Sequence, residues 1–263
     1  GIDPANVIMG PDAARAAVDR GLQWLRPLQV LDVAGDWAEE NPDVRPGGWA
    51  FQYRNDHYPD LDDTAVVVMA FDRAGVRHDD VAIARGREWV EGLQSRGGGW
   101  GAFDADNSYF YLNNIPFADH GALLDPPTED VSGRCVGMLA QLGGGGQPLA
   151  DGIAYLRKTQ RGDGSWRGRW GVNYIYGTWS ALAGMNGAGL GPHDDTMKKG
   201  ADWLVAIQNP DGGWGENCDS YRLDYKGHEP APSTASQTAW ALMGLMAAGQ
   251  VDHPAVARGV NYL

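Results

Sequence analysis

Three carboxylates gather within four residues of the sequence, in the segment Asp60-Leu61-Asp62-Asp63. An apolar stretch that begins at Val66 follows them, so the carboxylates lie at the start of a predicted helix. Carboxylates packed this closely resist simultaneous ionisation, so one can keep its proton at neutral pH, and the helix N-terminus can stabilise the anion left after donation. The segment is therefore a candidate strong Brønsted acid, although each aspartate could instead serve as a helix cap.

A second acidic stretch, residues 125–130, opens another predicted helix of the same kind. In a ring of such helices Asp130 could face the same central space as Asp62, with Arg134 one turn further along. The alternative is that Asp130 caps its own helix and pairs with Arg134 inside it, because residues four apart are neighbours on a helix. The spacing fits both interpretations equally.

Aromatic residues that could line a pocket lie outside the repeated turns described below and near predicted helix ends. They are Phe51, Phe103, Phe117, Trp170 and Tyr176. An aromatic ring attracts a cation through its quadrupole and does not act as a base that would quench it. An acid beside such rings, without an obvious metal or base, suits chemistry that generates carbocations.

The composition argues against several other classes of protein. The 263 residues include 21 Lys and Arg against 34 Asp and Glu, a net charge of -13, with no basic cluster that could bind nucleic acid. Cys135 and Cys218 stand far apart, in no disulfide or metal-ligand pattern. No stretch is long and apolar enough to span a bilayer. We expect a globular protein with no nucleic-acid partner and no metal.

One pattern recurs five times along the chain and accounts for much of its Trp and Gly content. In the full form a Gly precedes an aromatic residue by three positions, and a Gln, a Gly and a Trp follow at fixed offsets. The complete copies end at Trp100, Trp166 and Trp214; a copy with an insertion ends at Trp49, and one that starts at Arg258 stops before its Gln. Each copy is typical of an amphipathic helix followed by a Gly-rich turn.

Helices of a different character, rich in Ala, Val, Leu and Met, are predicted between the copies. They span residues 62–74, 129–142, 174–185 and 233–248. Alternation of outer helix, turn and inner helix, with a period of about 50 to 65 residues, is typical of stacked helical hairpins. The sequence therefore predicts an all-α fold, an α/α barrel or toroid of helical hairpins. We expect it to be incomplete, because the first unit lacks its inner helix and the last lacks its turn.

These features together resemble the squalene-hopene cyclase branch of the class II triterpene cyclases. The Gln-to-Trp repeats resemble the family's QW motifs, and Asp60-Leu61-Asp62-Asp63-Thr64-Ala65 resembles its D-x-D-D-T-A motif. Further similarity runs through residues 47–51, 114–117, 125–127 and 168–174. Since the family has two α/α barrels, the resemblance implies that residues 1–263 are a single segment of the catalytic α/α-barrel domain of a larger two-barrel cyclase.

The resemblance also implies roles for individual residues. Asp62 matches the proton donor, with Asp60 and Asp63 as flanking carboxylates and Asp130 as a supporting acid; Phe51, Phe103, Phe117, Trp170 and Tyr176 match pocket aromatics. Arg134 stands where the best-known members have a histidine that partners the acid, and His120 stands where the family has a pocket phenylalanine. Because arginine is always cationic, we expect Arg134 to pair with Asp130 and to leave Asp62 to a different hydrogen bond.

The activity implied by the resemblance is conversion of squalene to hopene, or to hopanol when water ends the cation. Protonation of a terminal double bond would start the reaction, without a metal or organic cofactor. The isolated chain is expected to be inactive, since an open barrel would admit water to the cation. The resemblance also implies monotopic or peripheral contact with the cytoplasmic side of the bacterial membrane, through parts outside this chain, and leaves a homodimer open.

Three alternatives accompany this interpretation. The first is a cyclase of another linear polyprenoid. The second is a zinc-dependent protein prenyltransferase β subunit, which is also an α/α barrel; it needs an Asp-x-Cys pair and a distant His, and Cys218 does not supply that spacing. The third is a non-catalytic toroid that binds a partner protein, which the predicted fold alone supports.

Overall fold

The computed structural model describes residues 10–114, 124–144, 146–222 and 227–263, and their regular structure is helical. The α-helices are α1 (Pro11–Leu25), α2 (Trp37–Glu40), α3 (Leu61–Arg73), α4 (Val81–Gly92), α5 (Glu129–Gln141), α6 (Gln147–Thr159), α7 (Tyr174–Gly187), α8 (Asp195–Ala206), α9 (Ala235–Ala247) and α10 (Pro254–Tyr262). Within the described ranges, β-structure is limited to isolated bridges. The predicted all-α class is confirmed.

Four helices form an inner row, in which α3 packs beside α5, α5 beside α7, and α7 beside α9. The outer helices α4, α6 and α10 pack on α3, α5 and α9, and α8 packs on both α7 and α9. The inner helices are the four predicted from the sequence, and their ends lie within two residues of the predicted ends. The row of inner helices therefore places the starts of α3, α5 and α7 side by side.

The helix starts are fixed by side chains that satisfy otherwise unpaired backbone N–H groups. Asp60 caps α3, Asp80 caps α4, Asp194 caps α8 and Thr234 caps α9, each with its own side chain as acceptor. Local sequence therefore determines where these four helices begin.

The repeated turns tie each outer helix to the next one. Gln94 Nε2 donates to the Gly98 carbonyl at 2.7 Å and to the Pro148 carbonyl at the start of α6 at 2.9 Å. The ring of Trp100 is fully buried, and its Nε1 donates to the Val90 carbonyl at 2.7 Å. The same bonds recur at the Gln and Trp of the two later complete turns. Each turn thus links two successive outer helices through the side chains of its Gln and Trp.

The inner helices α5 and α7 approach so closely that glycine is required at their crossing. A Cβ atom added to Gly184 would lie 2.2 Å from the carbonyl oxygen of Gly133, and one added to Gly133 would lie 2.5 Å from the carbonyl oxygen of Ser180. Both contacts are with backbone atoms, which cannot move aside without shifting a helix. This crossing therefore sets the spacing between the helix that carries Asp130 and Arg134 and the helix that carries Tyr176.

We expect Gly184→Ala to destabilise the protein, because its methyl group would force α5 and α7 apart. Overpacking of this kind costs about 1–3 kcal/mol, which lowers the melting temperature by several degrees. Gly137→Ala is the matched control, since its added Cβ would meet its nearest atom at an ordinary 3.6 Å. Thermal unfolding followed by circular dichroism would measure both, and equal melting temperatures would contradict the close-packing argument.

Candidate active site

The acidic segment at the start of α3 is held by backbone bonds to two neighbouring turns. The Asp60 amide donates to the Trp49 carbonyl at 2.8 Å, and the Leu61 amide donates to the Ala102 carbonyl at 2.7 Å. The Asp60 side chain is buried and accepts the Asp63 amide at 2.8 Å. The side chain of Asp60 therefore caps α3, as the helix-cap alternative predicted. Its bond to the Asp63 amide also fixes the position of the neighbouring carboxylates Asp62 and Asp63.

Asp62 forms an ion pair with Arg134 across the groove between α3 and α5. The Nε atom of Arg134 lies 3.1 Å from Oδ1 of Asp62, and both side chains are about three-quarters buried. The expectation that Arg134 pairs with Asp130 inside α5 is therefore wrong. The side-by-side packing of α3 and α5 brings Asp62 within reach of Arg134, and the carboxylate of Asp130 is engaged elsewhere.

Asp130 is buried and holds the loop that carries Trp170. Its Oδ2 accepts the backbone N–H of Arg169 at 2.7 Å and that of Trp170 at 2.9 Å, while Oδ1 accepts the N–H of Val131 at 3.0 Å. A carboxylate that accepts several backbone N–H groups is strongly stabilised in one orientation. Asp130 therefore serves as a cap that reaches from α5 to the following turn.

Burial raises the pKa values of the carboxyl groups in this cluster. It raises the pKa of Asp60 to about 8, against the opposing effect of the Asp63 amide. Burial also raises the pKa of Asp62 to about 6, although the nearby Arg134 charge opposes the shift, and it raises the pKa of Asp63. For Arg134, burial lowers the pKa, but the charge of Asp62 and the hydroxyl of Tyr176 outweigh it, and the net shift is upward. Near neutral pH Asp60 therefore holds its proton, whereas Asp62 is protonated in a minority of molecules and becomes mostly protonated below about pH 6, beside the permanent cation of Arg134.

We expect the raised pKa of Asp60 to make folding stability depend on pH. Because the pKa rises from 3.8 to about 8 on folding, the stability associated with this group is fully present below pH 4 and is lost as the pH rises through 8. Asp60→Asn keeps a capping side chain but cannot ionise, so the variant should lose less stability between pH 5 and about pH 8.5 than the wild type does. Urea unfolding at both pH values would measure this, and parallel stability curves would contradict it.

The predicted pocket aromatics do not all lie together. The ring of Phe103 contacts the ring of Trp170 edge to face at 5.9 Å, and Trp170 is half exposed. Phe51 is 80% exposed and lies in a surface groove that Asp63 also lines, so it stands apart from that pair. Tyr176 lies near Arg134 and Asp62. Phe117 and His120 lie outside the described residues.

Two tryptophans that the sequence did not single out complete the site. The Arg134 guanidinium lies over the ring of Trp179, with Cζ 4.7 Å from the ring centroid. Trp240 stacks on Trp179 with centroids 6.3 Å apart and planes 9° apart. The three-residue spacing from Tyr176 to Trp179 on one helix could have indicated Trp179. Trp240 comes from α9, and no local pattern pointed to it.

An open groove of about 810 Å³ runs along the inner helices beside this site. Arg134 and Trp179 line it, together with apolar residues of α1 and α3 such as Leu22 and Met69. Among the residues that the structure describes, no group of three His, Cys, Asp or Glu side chains converges as a metal site. In the same part of the chain, no helix is long and apolar enough to cross a membrane.

Comparison with solved structures identifies the fold of the chain. The type II terpene cyclase MstE from Scytonema matches with a TM-score of 0.65 and 17% sequence identity, over 97% of this chain and 63% of that one. The ent-copalyl diphosphate synthase from Streptomyces platensis matches with a TM-score of 0.59 and 19% identity, over 96% and 38%. The chain has the α/α-barrel fold of type II terpene cyclases.

Sequence comparison assigns the family. Residues 6–263 match the model of the squalene-hopene cyclase C-terminal domain, and the chain belongs to the squalene-hopene cyclase family. It is 66% identical over 262 residues to a probable squalene-hopene cyclase of Sinorhizobium fredii, and 67% identical over 261 residues to a squalene-hopene cyclase of Bradyrhizobium diazoefficiens. Each match covers 97% of this chain and 40% of the relative, so the chain spans about two-fifths of their length.

Proposed function

We propose that this chain carries the acid of a squalene-hopene cyclase, which converts squalene to hopene, or to hopanol when water ends the cation. The observation that supports it most is the identity of 62–67% to three bacterial squalene-hopene cyclases, maintained over 97% of the chain. The matched region includes Asp62 and Arg134. The family assignment argues against the prenyltransferase and the non-catalytic toroid.

Asp62 is proposed to donate the proton that starts the reaction. Arg134 binds Oδ1 of Asp62 through Nε, which leaves Oδ2 to carry the proton. When that proton moves to one carbon of the terminal double bond, the other carbon becomes a cation and Asp62 becomes an anion. The permanent charge of Arg134 stabilises that anion, which makes Asp62 a stronger acid. Proton loss from the final cation gives hopene, and water addition gives hopanol.

The supporting residues are proposed to bind and stabilise the polyprenoid. Asp60 and Asp63 flank the acid, and Asp130 holds the loop of Trp170. Aromatic faces near the acid would stabilise positive charge without removing a proton; the candidates are Phe51, Phe103, Trp170 and Tyr176, with Phe117 and His120 retained from the sequence. The route needs neither metal nor organic cofactor, because a proton starts it and the substrate itself carries the electrons that form the new bonds.

We further propose that the chain works within a larger two-barrel cyclase, since it spans about 40% of the length of its relatives. The proposal includes peripheral or monotopic contact with the cytoplasmic side of the membrane, through parts outside this chain. It also includes a homodimer. A hydrocarbon such as squalene partitions into lipid, which supports an enzyme that meets its substrate at a membrane surface.

The test is incubation of the full-length protein with squalene, followed by gas chromatography and mass spectrometry of the extracted lipids. We expect hopene and hopanol in the wild type. Cyclised products from another linear polyprenoid, with squalene returned unchanged, would favour the alternative substrate. No conversion of squalene or of any other linear polyprenoid would contradict the proposed function.

A further inference from the structure

The guanidinium of Arg134 is held between a carboxylate and an aromatic wall. Its Cζ lies 4.7 Å from the centroid of Trp179, and its Nε lies 3.1 Å from Oδ1 of Asp62. A guanidinium that stacks on a ring keeps its face toward the ring and presents its N–H groups at the edge. The stack therefore limits the directions in which Arg134 can donate hydrogen bonds.

Trp179 is itself fixed by its neighbours. It is 9% exposed, and the nearly parallel ring of Trp240 supports it. Tyr176 contacts both indoles edge to face, with centroids 5.3 Å from Trp179 and 4.9 Å from Trp240. These three rings come from α7 and α9, and they form a wall that faces the side chain of Arg134 from α5. The wall can therefore fix a side chain that α5 supplies.

We propose that Trp179, supported by Trp240, is a positioning residue that holds the guanidinium of Arg134 in hydrogen-bond contact with Asp62. Without the ring of Trp179, the guanidinium of Arg134 could turn toward other carboxylates. Asp130 lies one turn earlier on the same helix, and the charge of Arg134 also acts on Asp63. The inference rests on the proposed function, since directing the charge matters to catalysis only if Asp62 is the acid.

The charged and titratable groups around Asp62 show why the direction of this one cation matters. They are Asp60 and Asp63 from its own segment, Asp130, Arg134 and Cys135 from α5, and Tyr176 from α7. Within that set Arg134 supplies the positive charge, and the others are neutral or anionic. If Arg134 turns away, the anion of Asp62 loses its stabilisation, so the pKa of Asp62 rises and Asp62 becomes a weaker acid.

The test compares Trp179→Leu with Trp179→Phe, which keeps an aromatic face. Two measurements are made on the full-length protein: the pH profile of squalene turnover, and the titration of Asp62 by carboxyl-carbon NMR, with the signal assigned through Asp62→Asn. We expect Trp179→Leu to move the titration of Asp62 upward by about one pH unit. At about pH 5, where Asp62 is protonated in both proteins, the weaker acid should lower turnover by up to roughly tenfold. Trp179→Phe should retain most of the wild-type behaviour.

Trp203→Leu is the matched control, because it removes an equally buried indole on α8 that contacts His228. It should lower the melting temperature and leave the Asp62 titration in place. Trp240→Leu, which removes the support behind Trp179, should move the titration in the same direction by less, so the test does not depend on one variant folding. An Asp62 titration that is unchanged in the Trp179 and Trp240 variants would overturn the inference. Absence of squalene turnover in the wild type would instead refute the proposed function, and the NMR titration would still decide this inference.

Discussion

Asp62→Asn is expected to abolish squalene conversion in the full-length protein and to leave the fold intact. Asparagine keeps the shape of the side chain and an oxygen that can accept the Nε bond from Arg134, but it has no acidic proton. Loss of a general acid typically costs about 10² to 10⁴ in rate. We expect a loss of more than about 10⁴ here, because protonation of an alkene needs a stronger acid than water in an apolar pocket can provide.

Asp63→Asn is the control for this prediction. Asp63 is part of the same cluster, but the ion pair with Arg134 belongs to Asp62. If Asp63 only tunes the acid, its replacement should lower turnover far less. A role in capping alone predicts for both variants a stability loss of about 0.5–2 kcal/mol with turnover retained. Turnover and melting temperature separate these outcomes, and an Asp62→Asn enzyme within tenfold of the wild type would contradict the mechanism.

The fold was predictable because its determinants are local and repeated. The helix starts follow from capping residues such as Asp60 and Thr234, and the apolar composition between the turns marks the inner helices. The repeat also indicated how the units stack, since each Gln and Trp recurs at the same offset. The predicted inner helices therefore differ from the observed ones by no more than two residues at an end.

The acidic residues of the site were predicted, but their partners were not. The sequence suggested that Asp130 would pair within its own helix, whereas Asp130 binds the loop before α7. Glu216 behaves in the same way, since it is buried and accepts the backbone N–H groups of Asn173, Tyr174 and Ile175. Both carboxylates cap structure in a neighbouring unit. A spacing rule applies within one helix, so it cannot identify bonds that depend on how two units pack.

The aromatic residues show the same limit. Trp179 was not predicted, because an apolar residue on an inner helix is expected to be part of the core. Its proposed role depends on a guanidinium from α5, which the packing of α5 on α7 brings to it. Phe51 was predicted on the resemblance and lies 80% exposed among the described residues. The resemblance supplied a set of candidate residues, and the three-dimensional arrangement is needed to show what each one contacts.

Arg134→Gln is expected to lower squalene turnover by about 10² to 10³, the cost of removing one group that stabilises developing negative charge. Glutamine can still donate a hydrogen bond to Asp62, but it carries no charge, so the anion left after proton donation is less stable. Arg157→Gln is the matched control. Arg157 pairs with Asp194 on the outer surface, far along the chain from the acid, and its loss should have little effect.

Arg134→His tests whether the charge of this residue is what matters. Histidine is cationic below its ordinary pKa of about 6.5, whereas arginine stays cationic throughout the working range. The ratio of turnover in Arg134→His to turnover in the wild type should therefore be highest at low pH and should fall as the pH rises through about 6.5. Each turnover is first divided by the protonated fraction of Asp62 in that enzyme, taken from its titration, because loss of the histidine charge also raises the pKa of Asp62. A ratio that stays constant from about pH 5 to about pH 8 would show that a hydrogen bond to Asp62 suffices, and that the permanent positive charge of Arg134 is not needed for proton donation.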